Sequence, residues 1–406
     1  MKQFEKNYSH ALQNIPFYKA NNYPEINFSN CRSQEEFFDL VQKIPILKKE
    51  VLKSNNSLFF SNSEFLAKTH TTSGTSGTPL KLKANIFEKA ELQMIKNYWF
   101  KKINGKFFPK LLILSGYYVP KAGGPIFFKD KFTNDLHLSI YALKSQNVNE
   151  IKETIERECP NIIYGYASAV HLLAKVLGSD SLANKNEMVA VTTSEILQPD
   201  WRNVIETNLV RKIHNFYSSQ ECVHGIFENE DGLMKIHPRM GFIEILDQDK
   251  NAVSNGYGCV VVTGFMRKSM PLIRYEIGDS IQSTDYNVTE DSIPLWPEVG
   301  EINGRSEDLV WKRDGSRIGY LCFHATKNVD GINEAQIIQK GYESFECRLS
   351  IRTNANKDEI EDQIKEEIVK RLDTNIFIEF TYMGFIPRGA NEKFKAVVVE
   401  FEPSDQ

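Results

Sequence analysis

The sequence predicts an α/β protein in two parts: a large N-terminal domain with parallel sheets and a β-rich subdomain, then a small C-terminal α+β domain. Three observations lead there. The chain has 406 residues, beyond the roughly 250–300 at which a single hydrophobic core stops growing. Between positions 110 and 219 short apolar runs alternate with amphipathic segments, the pattern of a largely parallel sheet covered by helices on both faces. After GRSED the composition shifts, and the remaining stretch of about 100 residues suits a small domain of its own. The expected domains are therefore 1–308 and 309–406.

The elements follow in order. Residues 1–60 mix amphipathic segments with breaks at Pro16, Pro24 and Pro45, which predicts short helices wrapped on a larger body. Two strand-like runs then flank Thr71 to Pro79, a stretch made almost wholly of Thr, Ser and Gly. Helical spacing of apolar positions runs from Ile86 to Trp99, and KLLILSG (110–116) is a buried-strand candidate. Alternation continues with a helix at 148–158, a strand at 161–166, a helix at 169–178, a strand at 188–195, a helix at 200–209 and a strand at 212–219. From Gly241 to Asp279 the pattern turns β-rich, GFIEILD and GCVVVTGF being separated by NAVSNGYG turns, so an antiparallel lobe is expected. The C-terminal part reads as a hairpin (309–318), a helix, a strand (345–352), a charged helix (357–372) and strands at 375–383 and 395–402.

Composition narrows the function class. Hydrophobic residues at 41% and aromatics at 11% are enough for a globular core, which excludes a disordered or fibrous chain. Lys plus Arg less Asp plus Glu is 49 − 53 = −4 with no block of like charge, so neither nucleic acid nor a membrane surface is an expected partner. No run approaches the roughly 18 apolar residues of a membrane span, and MKQFEKNYSHALQ has no apolar h-region, so a soluble cytoplasmic protein is expected. Cys31, Cys159, Cys222, Cys259, Cys322 and Cys347 are scattered without a CxxC pair, which fits reduced thiols.

Chemistry is concentrated in a few motifs. TTSGTSGTP is dense in N–H and O–H donors on a mobile backbone, which suits phosphate oxygens. It is not a Walker A loop, because Gly77 is followed by Thr78 and Pro79 rather than Lys, and taken alone it serves equally as a hairpin tip. GYASA around Ser168 is not a nucleophile elbow. After the loop come YGYASAV at Tyr164, VTTSEIL with Ser194 and Glu195, NFYSSQE ending at Glu221, PLIRYEIGD ending at Asp279, GRSED with Arg305 and Asp308, and IPRGANEKFK with Lys393.

This ordered set resembles the adenylate-forming (acyl-CoA synthetase) superfamily, and within it the phenylacetate-CoA ligase branch with its capsular-polysaccharide (CapK-type) members. The resemblance spans NIPFYKAN near the start to Lys393. It implies an AMP-forming ligase that joins a carboxylic acid to CoA or to an amine, using ATP and Mg²⁺, with a mobile C-terminal domain hinged at Asp308 and the substrates between the two domains. By the same resemblance Ser73, Gly74, Thr75, Ser76, Gly77 and Thr78 grip the ATP phosphates, and Thr72 joins Glu221 and Lys393 as catalytic. Ser194 and Glu195 lie beside the adenine, Tyr217 stacks on it with Ser218 adjoining, and Glu221 holds Mg²⁺. Asp279 accepts the ribose hydroxyls, Arg305 supports the ribose, and Lys393 bridges acid and phosphate. Tyr117, Tyr164 and Tyr166 suggest an aromatic rim for the acid.

The residue types agree with those roles. Carboxylate attack on a phosphorus builds negative charge that cations and a metal stabilise. A carboxylate is acceptor-only and suits a diol, and one carboxylate plus phosphates suits Mg²⁺. Singly, each of these charges would be an ordinary solvated one and each tyrosine an ordinary core residue.

Departures matter too. Glu392 replaces the usual Gly before the lysine, which brings Lys395 in as an alternative cation. Glu301, Asn303 and Asn229 stand where relatives carry zinc-ligating cysteines near His237, so zinc is not expected. Cys222, His224, His237 and Cys259 have the residue types for a different zinc site, but Cys222 and His224 are too close for the usual spacer. Lys312, Arg313 and Arg317 serve either as a CoA-binding surface or as a solvated hairpin. The other class of function open to this pattern is a non-catalytic nucleotide-binding protein of a polysaccharide assembly system.

Overall fold

Short runs of branched apolar residues, five or six long and bounded by turns, build the first unit. A computed structural model describes residues 2–31, 33–61, 67–71, 80–115, 124–178, 182–247, 249–284, 298–305, 310–313, 317–318, 321–326, 329–372, 376–388 and 394–401. The chain divides into two compact units, residues 1–196 with 204–302, and residues 303–406 with 197–203.

In the first unit the helices α1 (Lys2–Asn14), α2 (Pro16–Ala20), α3 (Gln34–Gln42) and α4 (Lys49–Ser54) come first. Their aromatic faces supply Phe4, Tyr8, Phe17, Tyr18 and Phe37, which pack with Val260, Val262, Tyr275 and Ile281 in one buried cluster. The Phe4 ring meets Phe28, Phe37 and Phe242 edge-on at 5.3–5.6 Å, the geometry aromatic quadrupoles favour.

A separate antiparallel hairpin follows, β1 (Lys68–Thr71) and β2 (Lys81–Ala84), with Thr71 opposite Lys81. The Thr/Ser/Gly stretch lies between these two strands in the sequence. Helix α5 (Ile86–Asn104) starts at a capping box, Asn85 Oδ1 accepting from the Glu88 N–H while Glu88 accepts from the Asn85 N–H, and stops at Gly105 with φ 81°. It is longer than the 86–99 read from apolar spacing. The buried Glu88 carboxylate also accepts from the Lys268 and Ser269 N–H groups (2.8 and 2.9 Å) and from Ser269 Oγ (2.6 Å), which ties the hairpin exit to that distant segment.

Among the described residues, twelve strands form one hydrogen-bonded sheet. They are β3 (Leu111–Ser115), β4 (Phe127–Lys129), β5 (Leu136–Ser139), β6 (Ile162–Tyr166), β7 (Val189–Thr193), β8 (Lys212–Tyr217), β9 (Ile226–Glu228), β10 (Met234–Ile236), β11 (Gly241–Leu246), β12 (Gly256–Gly264), β13 (Tyr275–Ser283) and β14 (Glu298–Arg305). Their order is β11-β12-β13-β14-β10-β9-β8-β7-β6-β3-β5-β4. Strands β5, β3, β6, β7 and β8 are parallel, and α6 (Val148–Glu158), α7 (Ala167–Leu177) and α8 (Pro199–Asn208) alternate with them along the chain. Ile162 and Tyr164 pack with Trp99 and Phe100 of α5, and the period-2 alternation of a strand turns Ile163 and Gly165 to the other face.

The β-rich stretch is antiparallel as expected, β11 pairing with β12 and β12 with β13, and it continues the same sheet. Strand β9 folds back on β8, with Phe216 opposite Phe227, and from there the ladder is antiparallel through β10 and on to β14. The apolar β8 and β9 leave no exposed edge at which a separate sheet would begin.

In the second unit β15 (Val310–Trp311) pairs with β16 (Arg317–Ile318) as the expected hairpin. A helix α9 (Leu321–Thr326) and a strand β17 (Ile332–Gln339) then stand where the sequence reading has one helix. INEAQIIQ carries buried Gln336 and Gln339 among its apolar residues, which hides its strand alternation. The sheet order is β19 (Phe377–Tyr382), β18 (Ser344–Ile351), β17, β20 (Val397–Val399). Helix α10 (Lys357–Leu372) buries Ile360, Ile364, Ile368 and Leu372, one residue per turn, against Ile337, Phe345, Cys347 and Leu349. No described helix in either unit is long and apolar enough to cross a membrane.

Candidate functional site

Because β6, β7 and β8 are parallel, their carboxyl ends share one edge of the sheet, Tyr166 lying opposite Thr193 and Thr193 opposite Phe216. Open α/β sheets bind ligands outside that edge. Tyr166, Ser194, Glu195, Tyr217 and Ser218 all fall at or just beyond these ends.

Ser194 leaves β7 with φ 68°, a left-handed conformation uncommon for serine. The turn swings Glu195 toward α7, where Oε2 accepts from the Ser168 N–H at 2.8 Å. A carboxylate there satisfies one of the unpaired amides of the helix N-terminus and complements its dipole.

At the end of β8 the Tyr217 hydroxyl donates to Asp279 Oδ2 at 2.5 Å, joining two motifs 62 residues apart. Asp279 follows Gly278, whose φ of 85° suits only glycine at low cost. The Tyr275 hydroxyl, on the same strand, donates to Glu221 Oε1 at 3.3 Å.

The chain between Tyr217 and β9 is a tight turn. Ser218 Oγ donates to the His224 carbonyl (2.9 Å), the Cys222 N–H to the Ser219 carbonyl (3.0 Å), and Arg267 Nη2 to the Gln220 carbonyl (2.8 Å). Cys222 sits at φ 52°. The turn is pressed against β11: a Cβ on Gly241 would lie 1.9 Å from the Val223 carbonyl oxygen. His224 is fully buried with its ring tilted on Tyr217, centroids 4.7 Å apart, and burial pushes its pKa down to about 3, so it is a neutral imidazole at physiological pH.

Tyr164 faces a cation. Lys96 Nζ lies 4.5 Å from its ring centroid and 3.4 Å from its hydroxyl. Glu221, a half-buried hard-oxygen donor oriented by Tyr275, has the chemistry Mg²⁺ takes from protein.

The structure thus brings Tyr217 to Asp279, Glu221 to Tyr275 and Glu195 to α7. Thr72 through Thr78, Tyr117, Tyr118, Asp308 and Lys393, and the side chain of Arg305, lie outside the described residues. Of the alternative cation Lys395, the carbonyl accepts from Gln336 Nε2 at 2.8 Å. At the positions weighed for zinc, His237 Nδ1 accepts from the Arg239 N–H at 3.3 Å, and Glu301 accepts from the Tyr257 hydroxyl at 3.0 Å. Among the described residues no group of three or more His, Cys, Asp or Glu is placed to hold a metal. Sequence reasoning missed Tyr275, Arg267 and Lys96. Tyr275 stands inside the PLIRYEIGD motif and was open to discovery there, whereas nothing in the sequence marks the other two.

Residues 310–400 match the CapK C-terminal domain family. Protein CapK of Staphylococcus aureus is 23% identical to this chain over 97% of its length and 87% of the relative. Among solved structures, 2-hydroxyisobutyryl-CoA ligase in its postadenylation state, in complex with R3-HIB-AMP, superimposes with a TM-score of 0.70 at 17% identity, covering 98% of this chain and 88% of that one. The amide bond synthetase McbA from Marinactinospora thermotolerans gives 0.53 at 13% identity over 79% and 65%. The resemblance drawn from the motifs is borne out: the chain has the fold seen in adenylate-forming ligases, residues 310–400 match the CapK C-terminal domain family, and the likeness to Protein CapK spans nearly the whole chain.

Proposed function

We propose that this protein, which carries the fold of adenylate-forming ligases, is an AMP-forming carboxylic acid ligase that converts an acid and MgATP to an acyl-adenylate and pyrophosphate. The observation that carries the reading is the Tyr217–Asp279 hydrogen bond at the carboxyl edge of the parallel sheet, with Glu221 on the same turn. Asp279 already accepts from Tyr217, and a carboxylate, being acceptor-only, has the chemistry to take the hydroxyls of a ribose. Tyr217 presents its ring to the adenine, and Ser194, Glu195 and Ser218 line the same edge. Glu221 holds Mg²⁺, which when bound neutralises charge on the phosphates. The Thr72–Thr78 loop, on the hairpin β1–β2, grips the phosphates, Arg305 supports the ribose, and Lys393 supplies the cation between acid and phosphate, with Lys395 two residues on.

In a second half-reaction the acyl group passes to CoA or to an amine. Support for the two acceptors comes from the CoA ligase and amide synthetase folds, and support for a role in surface polysaccharide synthesis comes from the CapK likeness. The test is acid-dependent exchange of pyrophosphate into ATP, with Mg²⁺, across aryl acids, fatty acids, amino acids and uronic acids. Exchange with one class establishes adenylation. ATP binding without exchange in any class would leave a nucleotide-binding protein without this chemistry.

A further inference from the structure

The second unit holds a cavity of about 50 Å³, lined in part by Asp200, Trp201, Thr326, Glu334 and Phe394. That is room for roughly three or four waters, or for a charged group with its first two or three carbons. Residues 197–203 belong to this unit, and Trp201 is seated in it: Nε1 donates to the Asn333 carbonyl at 3.4 Å, and the ring centroid lies 6.0 Å from that of Phe394. Glu334 pairs through Oε1 with Arg388 Nη2, the two side chains being 11% and 7% exposed. Glu334 Oε2 is buried with no hydrogen-bond partner among the described residues. Protein interiors pair nearly all such atoms, because an unpaired one costs desolvation that nothing returns. Among the described residues no Lys, Arg or His lines the cavity.

We propose that this cavity is a binding site for a small aliphatic ammonium group, whose N–H donors complete Glu334 Oε2. The inference needs nothing of the adenylation reading above. Charge decides it. Arg388 offsets Glu334, and the exposed Asp200 adds a second carboxylate, so the surroundings are left net negative. Trp201 and Phe394 supply aromatic walls, and aromatic faces attract a cation. A carboxylate oxygen shared between two cations has a parallel in this chain, where Glu158 Oε2 accepts from both Lys110 and Lys129. An anion would meet Glu334 and Asp200, an apolar group would leave Oε2 unpaired, and a neutral hydroxyl would pair Oε2 but leave Asp200 unanswered. The volume admits little beyond the ammonium and its nearest carbons, so the site reads the end of an alkyl amine, a group protonated at neutral pH as a lysine is.

The test titrates the full chain with propylammonium chloride, 1-propanol and potassium chloride at constant ionic strength, with binding read by calorimetry and by tryptophan fluorescence. Propylammonium should bind at least about 10-fold more tightly than 1-propanol or K⁺, and it should change the emission in a way that Trp201→Phe abolishes. Glu334→Gln should weaken binding about 10- to 100-fold. That variant also breaks a buried ion pair, so if thermal melting shows it unfolded, Ala396→Leu, which fills the cavity and leaves the pair intact, carries the same comparison. Failure of propylammonium to bind, equally tight binding of 1-propanol or K⁺, an emission that ignores Trp201, or undiminished binding in the variants would overturn the inference and leave Oε2 to a buried water. None of these readouts depends on acid-driven exchange, so this site and the adenylation reading stand or fall separately.

Discussion

A hydrogen bond joins Tyr217 and Asp279, which come from a strand end and a strand interior 62 residues apart. Asp279→Asn removes the charge that favours two O–H donors, and the expected result is a rise in the ATP KM of about 10-fold or more with the fold intact. Tyr217→Phe keeps the ring and loses the bond, so its effect should be several-fold smaller. Steady-state exchange kinetics against ATP concentration would show the order, and a larger loss for Tyr217→Phe would count against the ribose role of Asp279. His224 sets an acid limit on stability. Its pKa is about 3 folded against about 6.5 unfolded, because burial disfavours the charged ring. The unfolded chain therefore binds the proton first, and stability is complete above pH 6.5 and lost as pH falls toward 3, by about 1.4 kcal/mol per pH unit. His237, lowered to about 4, adds in the same window, whereas Glu158 and Glu346, held near 2 by their cations, act only below pH 4.5. Denaturant midpoints between pH 7 and 4.5 should fall steadily, and His224→Gln should flatten that slope.

Elements are joined to the site by buried ion pairs and caps rather than by the sheet alone. Arg274, at φ 44°, forks onto Glu244 through Nε (3.0 Å) and Nη2 (2.8 Å) and sends Nη1 to the Gln42 and Ile44 carbonyls. Leu47 bonds the Arg274 carbonyl in turn, so α3 and the chain leading to α4 are fastened to the start of β13, five residues before Asp279. Both side chains are almost fully buried, and burial pushes the Glu244 pKa up even with the guanidinium beside it. Removing one partner strands the other charge, so Glu244→Ala should cost about 3–5 kcal/mol, while Arg274→Met with Glu244→Leu should recover much of it. Equilibrium urea unfolding would read both, and a single-variant loss below about 1 kcal/mol would show that the pair is not what fastens the N-terminal helices.

Across the whole molecule, periodicity located most helices and parallel strands because each has an apolar pattern of its own: α10 was legible to the residue, and β6 to β8 to within two. What escaped were short strands such as β4, β9 and β10, three residues each, whose existence depends on partners elsewhere in the chain rather than on local pattern. The site was legible where motif and strand end coincide, as at Tyr217, and illegible at Lys96 and Arg267, whose importance comes only from what folding places beside them. The two-unit chain invites a division of labour, proposed from the family resemblance. Lys393→Ala should slow pyrophosphate exchange by a hundredfold or so, whereas Asp308→Pro should spare exchange and block acyl transfer. Equal loss of both half-reactions in both variants would sink the hinge proposal.

The docking of Tyr18 has a consequence for how the chain is made. Its hydroxyl donates to the Pro271 carbonyl and accepts from the Ile273 N–H, 253 residues or more downstream. A ribosome adding roughly 5–20 residues per second takes about 13–50 s to cover that distance. Throughout that interval Phe4, Tyr8, Phe17 and Tyr18 have been synthesised but the strands that bury them have not. The first helices emerge earliest and settle last, so nascent chains halted before about residue 280 should be cut by protease within the first 60 residues, and full-length chains should not. Protection of that segment in the halted chains would show that it finds another shelter first.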